Sequence, residues 1–141
     1  MTIANPLPQI TEPRKTRVFQ DLDLNFTPHP VTNDIVRKFD ENAIKQSIKN
    51  LILTRNYEKP FHSEIGSPIR GLMFDLVTPL TAITVKRAII DVINNFEPRV
   101  ELMEVEPVVS PDNNALYVSI VFKIRNTERP VTLDLLLERT R

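Results

Sequence analysis

Apolar residues along this chain recur first with the period of a helix and then with that of a strand. From Asp40 they fall at Ile44, Ile48, Leu51 and Ile52, while Glu41, Lys45 and Lys49 take the other side. That i, i+4, i+7, i+8 stripe predicts an amphipathic helix. Asp40 is placed to cap it, and Glu41 precedes Lys45 by four residues, the favourable order for an ion pair on a helix face. A second stripe, Ala82, Val85, Ile89, Val92, Ile93 and Phe96, follows Thr78-Pro79. A threonine cap with proline at the first helical position starts a helix, because that position needs no N–H. Thr84, Arg87 and Asp91 mark the outer side of this helix, which the stripe carries for about five turns.

Beyond Phe96 the period drops to two. VELMEV opens a strand; ALYVSIVFKIR sets Leu116, Val118, Ile120, Phe122 and Ile124 against Tyr117, Ser119, Val121, Lys123 and Arg125; VTLDLLLER puts Val131, Leu133, Leu135 and Leu137 on one face. Turn formers at 110–114 and 126–130 separate these runs, predicting an antiparallel meander. Near the start DLDLNF alternates too, predicting a half-buried strand with Leu22, Leu24 and Phe26 inward and a short hairpin completed by Ile35-Val36. Between the helices, a stretch with both glycines, two prolines, Phe61 and Phe74 predicts a structured connector with a short helix around 68–73. The fold class is α+β: two main helices packed on a mostly antiparallel sheet with a C-terminal three-stranded meander. Its last strand, with Leu136 on the outer face, leaves an edge able to pair with another chain. Residues 1–17 hold Pro6, Pro8 and Pro13 with Arg14, Lys15 and Arg17 and no sustained period. They read as an extended N-terminal arm ahead of one domain, 18–141.

Composition narrows the chemistry. Eighteen basic residues balance eighteen acidic ones, so the field expected of a general nucleic-acid binder is missing and protein partners are favoured. There is no cysteine and there are only two histidines, His29 and His62, which leaves neither thiolate nor all-histidine metal sites; no metal or cofactor is expected. The opening residues lack the apolar core of a signal peptide, and no run reaches the roughly 20 apolar residues of a membrane span, so no membrane partner is expected and the chain reads as soluble and unsecreted. Two glycines against twelve prolines also weigh against loops that bring backbone N–H groups up to a substrate.

The charges around one proline stand out. Pro98 ends the second helix by removing an N–H and pushing Glu97 out of helical dihedrals. In an extended segment Glu97 and Arg99 emerge on the same side, an acceptor beside a bidentate donor. This pair is either a solvated surface ion pair or a charged socket for a partner protein. The competing chemistry is hydrolysis, which needs two carboxyls about 5–9 Å apart, one with a raised pKa; Glu58, Glu64, Asp75 and Glu97 can be nominated, in a pair such as Glu58 and Asp75, but nothing singles one out among eighteen acidic residues. His29 between two prolines reads as structural, and His62 beside Glu64 is a weak acid–base candidate. No catalytic residue is assigned. A third reading, a nucleic-acid accessory protein acting through the basic arm, lacks aromatic interleaving.

The succession NLILTRNYEKPFHSEIGSPIRGLMFD, TPLTAITVKRAIIDVINNFEPRV and VSPDNNALYVSIVFKIRNTERPVTLDLLLER resembles the baseplate wedge subunit, or sheath initiator, family of contractile-tailed bacteriophages, which has relatives in type VI secretion baseplates. The likeness covers about residues 20–141 and leaves the first 17 outside. It implies a structural, non-enzymatic protein of the virion tail baseplate, assembled in the host cytoplasm and present in six copies per tail, where the tail tube, the wedges and the first sheath ring meet. It further implies that Glu97, Pro98 and Arg99 dock on the core bundle of neighbouring wedge proteins. Strands from the first sheath ring would be added at the sheet edges, which initiates sheath polymerisation. Members of the family have also carried a lysozyme label, to which the residues here give no support; the alternative function is a peptidoglycan hydrolase using an acidic pair.

Overall fold

The computed structural model describes residues 18–74, 78–110, 112–125 and 127–138. The elements run β1 (Gln20–Leu22), β2 (Arg37–Phe39), α1 (Asp40–Leu53), α2 (Ile69–Leu72), α3 (Pro79–Phe96), β3 (Val100–Ser110), β4 (Ala115–Ile124) and β5 (Pro130–Glu138). The chain is therefore α+β, with β3-β4-β5 forming an antiparallel meander and β1-β2 a separate two-stranded sheet. The N-terminal arm and Asp75, one member of the candidate acidic pair, lie outside the described residues.

Both main helices cover the same face of the meander. Ile44, Ile48 and Ile52 of α1, Val85, Ile89 and Ile93 of α3, and Leu116, Val118, Ile120 and Phe122 of β4 join one buried cluster, with Ile69 and Met73 closing it beside α2. Phe122 is completely buried. Each large aliphatic or aromatic side chain taken from water in this way stabilises the fold by about 1.5–3 kcal/mol. α3 starts as its sequence predicts: the Thr78 hydroxyl accepts from the Thr81 N–H at 3.2 Å, and Pro79 takes the first helical turn. In β3 a register shift between Leu102 and Glu104 marks a bulge. It absorbs Met103, so that Leu102 and Val105, three residues apart, both face the core.

Two local expectations are corrected. The β1-β2 hairpin forms, pairing Gln20 with Phe39 and Leu22 with Arg37, but Leu22, Leu24 and Phe26 are exposed and Asp23 is buried. The strand ends at Leu22, the chain turns at Leu24-Asn25 with Phe26 N donating to Asp23 O at 3.0 Å, and Asp23 alone of this run is buried. Asp23 is held by Lys38 Nζ at 3.0 Å, and that hydrogen bond keeps its carboxyl below the usual carboxylate range against the opposing effect of burial. An ion pair thus takes the position that the apolar pattern had reserved for leucine. Asp40 is not the cap of α1 either. Phe39 occupies the cap position without a side-chain bond, and Asp40 is the first helical residue, at a φ of 44°. Aspartate tolerates that left-handed step better than most residues, and the step turns β2 into α1 with no intervening loop. Asp40 Oδ1 instead accepts from Val18 N and Phe19 N, at 2.9 and 3.0 Å. Glu41 and Lys45 form the expected pair at 2.7 Å.

The connector between α1 and α2 is a tied-down loop. Ser67 returns to the end of α1, its Oγ donating to Ile52 O at 2.6 Å and its N–H to Thr54 O at 2.8 Å. The loop displays Tyr57 and Phe61 to solvent, both at positive φ.

Candidate docking site

Helix α3 stops at Glu97, whose N–H still donates to Ile93 O at 2.9 Å although its own dihedrals have left the helix (φ −124°, ψ 75°). Pro98 makes that departure obligatory. The next residues bend into β3, and Arg125 N donates to Arg99 O at 3.0 Å, carrying the β3-β4 ladder up to the proline corner.

Glu97 and Arg99 do meet, and their setting is not that of a solvated pair. The Glu97 side chain is 2% exposed. Arg99 grips it with both edges of a fork, Nε to Oε1 at 2.5 Å and Nη2 to Oε2 at 2.7 Å, and Ser47 Oγ of α1 donates to Oε2 at 2.6 Å. Burial would push the Glu97 carboxyl up; the Arg99 hydrogen bonds, the Ser47 hydroxyl and the guanidinium charge outweigh it and hold the pKa below the usual range. Arg99 is correspondingly raised, chiefly by its bonds to Glu97, against partial burial. Its guanidinium lies 5.6 Å from the centre of the Phe19 ring, within the range of a cation–π contact. Phe19 is itself fastened through Asp40. Four segments therefore converge here: the residues before β1, the start and middle of α1, the end of α3 and the start of β3.

The consequence is an asymmetric site. Glu97 is saturated within the chain, whereas Arg99, with a side chain 31% exposed, spends two of its five N–H donors on Glu97 and also feels the charge of Asp21, and the Pro98 that precedes it is exposed. Ser47 and Phe19 escaped sequence analysis. A serine inside a helix carries no signal for a carboxylate fifty residues on, and Phe19 precedes any periodic run.

The remaining candidates stand elsewhere. Glu58 is exposed and accepts the Arg55 N–H at 2.8 Å. His62 Nδ1 lies 3.1 Å from Glu64 Oε1 on an exposed loop; a backbone hydrogen bond, then His62, hold Glu64 below the usual range. His29 accepts from Val31 N and Thr32 N, both at 3.3 Å, and so shapes its own turn. Among the described residues no group of three or more histidines and carboxylates could hold a metal ion, and no helix is long and apolar enough to cross a membrane. Two grooves flank β5, of about 340 and 370 Å³. The first is lined by Ile52, Leu53, Phe74 and Leu136, the second by Leu24, Lys45, Lys49 and Leu133.

Comparison with known proteins gives these features a context. Residues 39–129 match the sequence model of the family described as baseplate wedge protein gp25. The baseplate wedge protein gp25 of Enterobacteria phage T4 is 35% identical over 91 residues, which cover 64% of this chain and 69% of that protein. In fold, the chain is similar to a Geobacter sulfurreducens protein labelled a tail lysozyme (TM-score 0.61, 22% identity, covering 70% of this chain and 89% of the other). It is also similar to a chain of the anti-feeding prophage baseplate (TM-score 0.59, 16% identity, 87% of each). With a family match over well more than half its length, the chain belongs to the baseplate wedge protein gp25 family, structural components of phage-tail baseplates.

Proposed function

We propose that this protein is a wedge subunit that docks on neighbouring wedge proteins through Glu97-Pro98-Arg99 and starts sheath polymerisation by strand addition at its sheet edges. The observation that carries the reading is the clamp on Arg99. An arginine fixed at two points by a buried carboxylate, and braced by an aromatic ring, offers its outer donors in one orientation, so little side-chain entropy is lost when a carboxylate or carbonyl of a partner arrives. Glu97 is then a positioning residue, Pro98 sets the corner, and Arg99 makes the contact with the core bundle. The open edges of the meander, with grooves alongside β5, suit extended segments from the first sheath ring. Six copies around the tail tube accord with the six-fold symmetrised baseplate that holds a chain of similar fold. Assembly in the host cytoplasm and residence in the virion tail complete the reading, with neither nucleic acid nor membrane as partner and no cofactor.

The protein acts in this reading as a binder and not as an enzyme. A peptidoglycan hydrolase would need a carboxyl with a raised pKa, whereas among the described residues Asp23, Glu64 and Glu97 are displaced downward.

The test is co-expression with candidate wedge and sheath proteins. The wild-type chain is expected to co-purify with a wedge partner. Arg99→Lys keeps the charge next to Glu97 but removes the fork, and should weaken docking by about 2 kcal/mol or more, roughly thirtyfold. Unchanged co-purification by a folded Arg99→Lys protein would remove the docking role. Clearing of a peptidoglycan gel that is lost in Glu58→Gln would replace it with the hydrolase.

A further inference from the structure

The connector between α1 and α2 puts two aromatic side chains where the fold gains nothing from them. Tyr57 and Phe61 are 83% and 102% exposed, and both sit at left-handed φ, 68° and 66°, a region that bulky side chains adopt only at a cost in strain. Glycine or asparagine would relieve strain and exposure together. The lobe that carries the rings is nonetheless firmly built. Tyr57 N donates to Ser63 O at 3.1 Å across its neck, His62 N to Lys59 O at 3.3 Å near its tip, and Ile65 N to His62 O at 3.1 Å where the chain returns. At its base Glu58 Oε2 accepts from Arg55 N at 2.8 Å, and Gly66 packs so tightly that an added Cβ would stand 2.5 Å from Arg55 O. An exposed ring on a fixed support loses little entropy when a partner covers it, which is the property of an interface anchor.

A groove of about 410 Å³ leads from this lobe to the Glu97-Arg99 clamp. Glu58 and Lys59 of the lobe line it, and so do Asp21 and Ser47. Ser47 is the residue that donates to Glu97, and the charge of Asp21 acts on Arg99. Thr54, at the lobe's root, also lines the groove, and it stands only about 10 Å along α1 from Ser47 at helical rise. One protein interface of ordinary size, about 800 Å² per partner, covers such a span.

From this continuity we infer, resting on the docking role proposed above, that Tyr57 and Phe61 are a second anchor of the same surface. The wedge protein that engages Arg99 also lays a polar ridge along the groove and receives the Phe61 ring in an apolar socket. This adds a partner chemistry that the clamp alone does not select. An arginine asks only for an acceptor, whereas an aromatic ring asks for a desolvated pocket of its own shape.

Benzoylphenylalanine in place of Phe61 keeps an aromatic side chain and, on irradiation, bonds to whatever touches it. In the full chain co-expressed with candidate wedge proteins, it is expected to cross-link to the wedge protein that co-purifies with the wild-type chain. The same group in place of Lys45, which lines a different groove, should give no cross-link to that protein. Phe61→Asn should raise the melting temperature of the free chain by about 2–4 °C, because asparagine accepts positive φ, and should weaken capture of the wedge protein about thirtyfold. A lowered melting temperature, undiminished capture, or a cross-link confined to a second copy of this chain would overturn the inference. Its failure is separable from that of the clamp. If Arg99→Lys weakens capture and Phe61→Asn does not, the clamp stands and the aromatic anchor falls; the reverse pattern removes the clamp and keeps the anchor.

Discussion

Ser47, in the middle of the first helix, donates a 2.6 Å hydrogen bond to Glu97, which stands fifty residues later where the third helix ends. This bond, with the Arg99 fork, joins α1, α3 and β3 at one buried carboxylate. The proposed docking site is thereby built into the tertiary structure, and its stability and its docking can be separated by choice of substitution.

Ser47→Ala removes one of the bonds to a buried charged group, and should lower stability by about 1.5–3 kcal/mol. Urea unfolding followed by circular dichroism measures the loss. Docking should survive at temperatures where the variant is folded, because the Arg99 fork is untouched.

Glu97 ties the same site to pH. Its folded-state pKa lies below the unmodified value of 4.5, so the contribution it makes is present in full above that value. It drains away as pH falls from there through the lower folded pKa. Glu97→Gln should therefore be destabilised at neutral pH and show a shallower loss of stability between pH 5 and the acid limit than wild type. Urea midpoints measured across that range check the sign. Arg99→Ala is the harsher change, leaving the buried carboxylate without its cation at a cost of about 3–5 kcal/mol; this is why Arg99→Lys is the better probe of docking.

Asp40→Ala should release the N-terminal segment. Asp40 Oδ1 is the acceptor for both Val18 N and Phe19 N, and Phe19 is the ring against the Arg99 guanidinium. Amide exchange at Val18 and Phe19 is expected to accelerate, and docking to weaken through a freer Arg99, while exchange within β4 stays slow.

Gly66→Ala should be among the most damaging single changes in the connector. Gly66 has a φ of +156°, and an added Cβ would sit 2.5 Å from Arg55 O and 2.8 Å from Asn56 N. Backbone must move to admit it, which parts the Arg55–Ser67 bridge. A loss of about 2–4 kcal/mol is expected, combining backbone strain with the displaced contacts, and thermal unfolding would record it.

Thr78→Ala removes the side-chain half of a reciprocal capping box and should cost about 1 kcal/mol. Thr78→Ser should restore nearly all of it, and the pair of melting temperatures distinguishes a lost cap from a lost methyl contact.

Much of this architecture is legible in the order of residues because it rests on local rules. The stripe from Ala82 to Phe96, the Thr78-Pro79 start, the Pro98 stop and the alternation of β4 each depend on neighbours within a few positions, and each lies where its pattern predicts. The hairpin shows where such rules fail. The DLDLNF alternation reads as one strand, but the chain turns at Leu24-Asn25, and Lys38 on the facing strand makes burial of Asp23 possible while the leucines stay exposed. Asp40 likewise has the chemistry of a cap, yet long-range N–H groups from Val18 and Phe19 compete for its carboxylate and win it.

By itself, then, the sequence determined the α+β class, the limits of the main helices, the meander and the presence of an acid and a base about Pro98, since helical and strand periods and proline geometry act over a few residues. Only the tertiary structure decided that Glu97 faces inward to Ser47 and Arg99 outward over Phe19. The reason is physical: a carboxylate is kept in the interior only where donors distant in sequence arrive together to offset its desolvation, and no local pattern records their arrival.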